Sequence, residues 1–424
     1  MDRKIAPPVK DIRKVILPRP EICTLSNGIT IFGTQRPGLP VLRLEIVVMA
    51  GRPFERKKII SKLTGKLLKE GTTCKSSRKI ADIFDKYGAT IHTSANLDYV
   101  TISVHCLRKY FFQLWPVVYE ILREPAFPEA ELNTYVANNI QKLEIDLTKP
   151  EVVAYRLITE KIFGNDHPYG YNSTPELYRQ ATRADITEHY QRAFIPSKTN
   201  IHISGGYEAE DIDLIAESMG AWQNPHLSEP VFAGLISDKP GNIHIEMPTS
   251  SQASLRIGRR MFSRSHPDFI DVFILNTLLG GFFGSRLNMN IREGKGMTYS
   301  IGSSLDPLSY SGCLIIMADV SHEHIGKATR QVFKEFKKLR EIPIVNDELT
   351  QLKRYLIGSL INAVDGPFHS SAMIKYLIAD QVDLNIWDKA NERICDITTE
   401  EIQHTAQQYL KQEDYWVVSA GINT

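Results

Sequence analysis

The sequence repeats one order of predicted elements at a spacing of roughly 200 residues, far beyond the 20–50 residues of solenoid repeats. Residues 184–206 read ADITEHYQRAFIPSKTNIHISGG, and residues 395–421 read CDITTEEIQHTAQQYLKQEDYWVVSAG. Each segment predicts a D-I-T cap, a helix and a terminal strand that ends in glycine. A repeat of this length indicates duplication of a whole domain.

The middle of each half follows the same order. In the first half, strand patterns at 29–32, 41–48 and 91–104 flank a predicted helix at 76–87 and precede predicted helices at 110–122, 129–147 and 150–162. In the second half, residues 297–305 and 311–320 predict two strands, and Ser321 opens a helix. One face of that helix carries Ile325, Ala328, Val332, Phe336 and Leu339. The next helix begins with Glu131-Leu132 in one half and Glu348-Leu349 in the other.

Strands in hairpin order followed by blocks of helices predict an α+β fold. We expect two tandem homologous domains, each an antiparallel sheet packed with helices on one side. The predicted bounds are 1–223 and 242–424, joined by a Pro/Gly/Ser-rich linker at 224–241. Residues 1–20 are rich in proline and charge and predict an extended arm.

The overall charge excludes several classes of partner. Fifty Lys and Arg against 49 Asp and Glu leave a net charge of +1, which favours neither nucleic acid nor an anionic membrane surface. No apolar run reaches the ~20 residues that span a bilayer, and the N-terminus lacks the apolar middle of a signal peptide. Five widely spaced cysteines favour a reducing compartment. The sequence therefore predicts a cytoplasmic protein without membrane insertion.

The segment with the strongest chemical pattern is residues 278–300, LLGGFFGSRLNMNIREGKGMTYS. Gly280, Gly281 and Gly284 predict a turn that allows positive φ or close backbone approach, and exposed N–H groups there suit an anion or an extended peptide. A helix start with a small-residue packing contact is the simpler interpretation. The motifs G-x-x-x-x-G-K-[ST] and G-x-G-x-x-G are both absent.

Arg292 and Tyr299 stand seven residues apart, on the helix and the strand that follow this turn. A guanidinium fork and a phenol hydroxyl are donors suited to a peptide carbonyl on which charge develops. The alternative is that neither residue has a functional role: arginines more often lie at the surface, and tyrosines on strands are more often half-buried in a sheet.

The segment resembles the C-terminal-domain signature of the M16 (insulinase / mitochondrial processing peptidase-like) metallopeptidase family. That signature is a Gly-rich turn, S-R-L, R-E, and a tyrosine seven residues after the arginine. The duplicated pattern, TLSNGITIF at 24–32 and HPYG at 167–170 extend the resemblance over most of the chain. The resemblance implies the LuxS/MPP-like metallohydrolase fold, with two homologous domains per chain that pair into a clam shell around a chamber.

The family's zinc site is H-x-x-E-H on the first long helix, with a downstream Glu as third ligand. The resemblance places that helix at 58–71, so that Lys62 and Lys66 stand at the two histidine positions and Gly65 at the general base. An ammonium has no lone pair for a metal, and glycine offers no base. The third-ligand position is predicted at Glu144, which cannot hold zinc alone.

Nothing else in the sequence replaces that site. No H-x-x-E-H or H-E-x-x-H occurs, and the close pair His322 and His324 suits a capping or exposed role at a helix start. Lys62 and Lys66 share one helix face, so either could pair with Glu144 where zinc would have stood. Solvated lysines are the alternative.

The resemblance thus implies a non-catalytic peptidase subunit that binds no cofactor. We expect it to bind peptide substrate and complete the chamber of a zinc-bearing M16 sibling as a heterodimer; a self-dimer is the other arrangement. Arg292, Tyr299 and the three glycines would contact substrate. Two alternatives stay open: a structural scaffold subunit, and a peptide-binding protein with no role in proteolysis. A hydrolase with a different site is disfavoured because no G-x-S-x-G context appears.

Overall fold

The computed structural model describes residues 12, 14–223, 230 and 239–422. We call 14–223 the first half and 239–422 the second half. The first half contains fourteen main elements: β1 Glu21–Thr24, β2 Thr30–Gln35, β3 Val41–Val48, α1 Ile60–Leu67, α2 Ser77–Lys86, β4 Thr90–Ala95, β5 Val100–Leu107, α3 Phe111–Arg123, α4 Glu129–Asp146, α5 Pro150–Phe163, α6 Pro175–Arg179, α7 Arg183–Ala193, β6 Thr199–Gly205 and α8 Ala209–Gly220.

The second half repeats the order in the main. Its elements are β7 Asn242–Glu246, β8 Ala253–Met261, α9 Phe269–Asn276, β9 Thr298–Leu308, β10 Ser311–Val320, α10 Ile325–Glu341, α11 Asn346–Ala363, α12 Gly366–Ala379, α13 Ile386–Asp396, α14 Thr399–Tyr409 and β11 Trp416–Gly421. Two π-helical turns, Thr277–Gly281 and Asn288–Glu293, follow α9.

The two sheets share one topology, which confirms the predicted duplication. The first has the order β1-β2-β6-β3-β5-β4, and the second has β7-β11-β8-β10-β9. In each sheet the last strand of the half lies between two earlier strands: β6 between β2 and β3, and β11 between β7 and β8. The pairs β2–β6 and β7–β11 are parallel, and the ladders β3–β5, β3–β6, β8–β10 and β9–β10 are antiparallel. The α+β class is confirmed, although each sheet contains one parallel pair where an antiparallel sheet was predicted.

The D-I-T match between the halves was wrong in register. The cap of α7 is Thr182, whose side chain accepts from the Asp185 N–H while the Asp185 carboxylate accepts from the Thr182 N–H. Thr398 and Glu401 form the same reciprocal pair at α14. The equivalent motif is therefore T-x-x-[DE]-I, because a capping box fixes the spacing from cap to third residue.

Helices cover both faces of each sheet. One face packs on helices of the same half, and the opposite face packs on a helix of the other half. Helix α5 packs on β8 and β11, whereas α12 packs on β6 and β2. Alternate residues of β10 show the two faces: Leu314 and Ile316 join the main core of the second half, and Cys313 and Ile315 join a separate core with Ala154 and Ile158 of α5. The prediction of helices on one side was therefore incomplete.

A buried ion pair lies where α12 meets the first sheet. Lys375 of α12 donates to Glu45 of β3 over 2.7 Å, and both side chains are about nine-tenths buried. Arg43 lies 3.3 Å from the same carboxylate and donates to the Phe368 carbonyl. His202 of β6 is buried nearby without a hydrogen-bond partner for either ring nitrogen, and burial and these cations lower its pKa to about 3.

The N-terminal arm and the chain's loops also tie the halves together. The described part of the arm before β1 contains no helix or strand, and it lies on α13: the Val15 N–H donates to Asn391, and the Trp387 indole donates to the Val15 carbonyl. The Asp98 carboxylate accepts from the Ser309 N–H across the seam.

Most of the predicted linker lies outside the described residues, so the domain bounds stay a prediction. Among the described residues, no helix has the length and apolar character that crossing a bilayer requires.

We predict that Lys375→Met lowers the free energy of unfolding by about 3–5 kcal/mol, because it leaves the buried Glu45 carboxylate without its main partner. The double variant Glu45→Gln/Lys375→Met should recover much of that loss. Urea unfolding measures both. The matched control is Glu188→Gln in the exposed Arg56–Glu188 pair, where we expect a change below about 1 kcal/mol. Equal effects for Lys375→Met and the control would contradict the role of the buried pair.

Candidate functional site

Two regions carry the residues that the sequence singled out: helix α1 in the first half and the Gly-rich turn after α9 in the second. Helix α1 enters from a strained residue, since Ile59 has φ +70 in the left-handed region that β-branched residues avoid. The Tyr171 hydroxyl accepts from the Ile59 N–H over 2.9 Å.

A buried carboxylate fixes the start of α1. Glu55 accepts from the Ser61 N–H at 2.7 Å, from the Ser61 hydroxyl at 2.6 Å and from the Tyr171 hydroxyl at 2.6 Å. Burial raises the pKa of Glu55 in spite of these bonds, and it raises the pKa of Tyr171 as well. Arg52 donates to the Tyr171 carbonyl at 3.0 Å. The residues around the HPYG motif therefore hold α1 in place, a role that the sequence pattern alone did not assign.

The two lysines of α1 have protein partners. The Lys62 ammonium donates to the Tyr178 hydroxyl over 2.7 Å, and the Lys66 ammonium donates to the Thr93 carbonyl over 3.2 Å. Burial, with repulsion from Lys62 and then Lys69, lowers the pKa of Lys66. Both groups repel a divalent cation, and neither offers it a lone pair.

Gly65 sits where the helix touches the first sheet. A Cβ at this position would lie 2.9 Å from the Ala95 Cβ and 3.0 Å from Val100 Cγ2. A larger side chain therefore needs those strand residues to move. A glutamate does not fit here without repacking the core.

Glu144 does not join this site. It is exposed on α4, and the residue that α4 buries is its neighbour Leu143. Among the described ion pairs, none joins Glu144 to Lys62 or Lys66, so the proposed pairing was wrong. The described residues contain no group of three or more His, Cys, Asp or Glu side chains placed to hold a metal ion. The residues present at α1 therefore do not fit zinc.

His322 and His324 make hydrogen bonds near the start of α10. The His324 ring lies 2.8 Å from the Ser321 hydroxyl, at the turn before α10. His322 accepts from the Ile422 N–H at 3.0 Å and lies 3.1 Å from the Ser250 carbonyl.

The Gly-rich turn in the second half is built on close approach. A Cβ on Gly280 would lie 2.5 Å from the Ser303 nitrogen of β9, and one on Gly284 would lie 2.7 Å from the Phe282 ring. None of Gly280, Gly281 and Gly284 has positive φ. These glycines therefore serve close backbone approach and not a left-handed turn. π-Helical turns flank the segment, and in the second the Gly294 N–H donates to the Met289 carbonyl five residues back.

Arg292 projects from this second turn. Its guanidinium carbon lies 5.0 Å from the ring centroid of Phe283, which is itself 61% exposed. Its Nε lies 3.6 Å from the adjacent Glu293 carboxylate, and the side chain is 38% exposed. The guanidinium therefore keeps solvent access and donors for a ligand.

Tyr299 is the extra residue of a β-bulge. Ser300 pairs with Asp319 and Thr298 pairs with Val320, which leaves Tyr299 between them without a partner in the ladder. Its side chain is 90% exposed. The Thr298 hydroxyl lies 2.6 Å from the Asp319 carbonyl and accepts from the Ser300 N–H at 3.1 Å, so it holds the bulge. Bulges of this kind re-aim a side chain and are frequent beside functional sites.

We predict that Gly65→Ala destabilises the chain by about 1–3 kcal/mol, because overpacking against Ala95 and Val100 outweighs the ~1 kcal/mol gain in helix propensity. Gly358→Ala is the matched control: Gly358 lies within α11, and a Cβ there would meet nothing within 4 Å. We expect the control to be neutral or stabilising in thermal unfolding. Stabilisation of both variants by the same amount would show that α1 has room for a side chain.

The chain is similar to known proteins in both sequence and structure. The family model described as "Peptidase M16 inactive domain" matches residues 180–356. The chain is 23% identical over 350 residues to "Uncharacterized zinc protease YmxG" of Bacillus subtilis, which covers 81% of this chain and 84% of that protein. A solved structure, a peptidase M16 inactive domain from Pseudomonas fluorescens, superposes with a TM-score of 0.87 at 23% identity over 96% of this chain and 98% of its own.

A second solved structure is longer. The periplasmic protease PqqL from Escherichia coli superposes on all of this chain with a TM-score of 0.77 and 18% identity, and the match covers 49% of that protein.

Proposed function

We propose that this chain is a non-catalytic member of the M16 peptidase family that binds peptide and completes the chamber of a zinc-bearing sibling. Its similarity to the M16 inactive-domain model and to zinc-protease relatives supports the proposal. The observation that carries the proposal is the contrast between the two halves. Helix α1 has lost the chemistry of hydrolysis at Lys62, Gly65 and Lys66, whereas the second half keeps Arg292 and Tyr299 exposed.

The chemistry of the retained pair suits a peptide. Arg292 offers planar forked donors and Tyr299 a single hydroxyl donor, the groups that stabilise charge on a peptide carbonyl oxygen. The exposed ring of Phe283 beside Arg292 adds an apolar surface. The near-zero net charge also suits a polypeptide partner better than nucleic acid.

The pairing with a sibling follows from the same contrast. A self-dimer would bring together two copies of α1 that lack metal ligands, so it could bind peptides but not cleave them. The match of this chain to about half of a longer protease supports an arrangement of two such units around one chamber. In that arrangement the sibling supplies zinc and the general base, and this chain supplies Arg292, Tyr299 and the chamber wall.

We predict that Arg292→Ala and Tyr299→Phe each reduce kcat/KM for peptide cleavage at least tenfold in a mixture with the zinc-bearing sibling, since loss of one oxyanion donor typically costs about 10²–10³ in kcat. Thr298→Val should give a smaller loss, because it releases the bulge that presents Tyr299. The matched controls are Arg78→Ala and Tyr155→Phe, at an exposed arginine and an exposed tyrosine of the first half.

Unchanged cleavage with both Arg292→Ala and Tyr299→Phe would contradict the assigned role. Calorimetry with the chain alone provides a second readout. Peptide binding that needs no sibling and is lost in Arg292→Ala would favour the stand-alone peptide-binding protein over the paired subunit.

A further inference from the structure

A cationic pocket lies at the seam between the halves, where the end of α5 meets β8 and the residues at the start of β11. Its volume is about 230 Å³. Lys161 lines it from the end of α5, and Arg259 and Arg260 line it from β8. Asp414 contributes from the turn before β11, and Trp416 is the first residue of β11. Both halves therefore contribute to one cavity.

The lining has a net positive charge. Lys161, Arg259 and Arg260 give three positive charges and Asp414 one negative charge, which leaves +2. Arg259 already has partners: its Nη1 lies 2.8 Å from the Asp414 carboxylate and 3.1 Å from the Tyr409 carbonyl. The excess charge therefore rests on Lys161 and Arg260.

These two cations keep unused donors. Arg260 donates from Nε to the Ser311 hydroxyl over 2.9 Å, and among the described residues its two terminal NH₂ groups have no acceptor. The Lys161 ammonium lies 5.9 Å from the Trp416 ring centroid and has no acceptor in the described part of the chain. Burial lowers the pKa of Arg260, and no carboxylate offsets that cost. An anionic ligand would offset it.

The charge and the size of the cavity select the ligand. A guanidinium fork matches the oxygens of a phosphate or carboxylate, and an ammonium acts beside it as a point charge. A phosphate monoester carries about −1.5 to −2 charges at neutral pH, close to the excess in the pocket, whereas a carboxylate carries half of that. The cavity is smaller than the ~300–1,000 Å³ of pockets for drug-sized ligands.

We propose that this pocket binds the phosphate group of a small phosphate monoester, through Lys161 and Arg260. Since these residues belong to different halves, the ligand bridges the seam. A ligand that binds the folded chain and not the unfolded chain raises the stability of the protein. The site is separate from α1 and from the Arg292–Tyr299 pair, so the proposal is independent of the proposed function.

The test is isothermal titration calorimetry, together with thermal unfolding, of the full chain at constant ionic strength. The probes are inorganic phosphate, phenyl phosphate and benzoate. We expect both phosphates to bind and to raise Tm, and benzoate to bind at least tenfold more weakly. Equal affinity for the two phosphates identifies the phosphate group alone as the ligand. Tighter binding of phenyl phosphate identifies an ester whose ring contacts Trp416.

Variants decide which residues act. Arg260→Gln and Lys161→Gln should each weaken phosphate binding about tenfold or more, because each removes charge-assisted hydrogen bonds. Arg78→Gln, an exposed arginine on α2, is the control and should bind as the wild type does. Lys161 lies on a partly exposed helix surface, so that variant tests the site even where Arg260→Gln disturbs folding. Failure of the wild type to bind phosphate at millimolar concentration, or wild-type affinity in Lys161→Gln, would overturn the proposal.

Discussion

The structure depends on an exchange of helices between two copies of one fold. A sheet of long strands such as β10 is apolar on both faces, and its own half supplies helices for only one of them. Helix α5 of the first half covers the second sheet, and α12 of the second half covers the first. Without the other half, each half would expose one apolar face of its sheet to water. Exposure of apolar surface costs roughly 25 cal/mol per Å², so either half alone would be much less stable. The buried Glu45–Lys375 pair joins α12 to the first sheet at one of these contacts.

The two halves present different side chains at the positions that the proposed function uses. In the first half the strained entry at Ile59, the Glu55 carboxylate and Tyr171 still position α1 closely, yet the side chains that α1 presents now bond to Tyr178 and Thr93. At Gly65, where the family resemblance would put a general base, an added Cβ would lie 2.9 Å from Ala95 and 3.0 Å from Val100, so a glutamate has no room. In the second half the bulge at Tyr299 and the π-helical turn at Arg292 keep two donors exposed.

Periodicity and turn residues predicted most of the elements but not how they meet. Strand β3 was predicted at its observed bounds, because a β-branched alternating run has one interpretation. The sequence predicted the helix α5, but no local pattern indicates that its apolar residues pack on the sheet of the other half. The expected pairing of Glu144 with a lysine of α1 is not among the described ion pairs. One residue along a helix rotates a side chain by about 100°, so that Leu143 is buried and Glu144 beside it is exposed. The bulge at Tyr299 depends on the distant Asp319 and Val320, which no window of neighbouring sequence contains.

The central claim is that α1 positions a metal-site scaffold without metal-binding chemistry. The most direct measurement is the zinc content of the untagged chain, incubated with equimolar zinc, separated by gel filtration and analysed by mass spectrometry of the metal. The account predicts far less than one zinc per chain, with no change in thermal unfolding on adding zinc. One retained zinc per chain would contradict it.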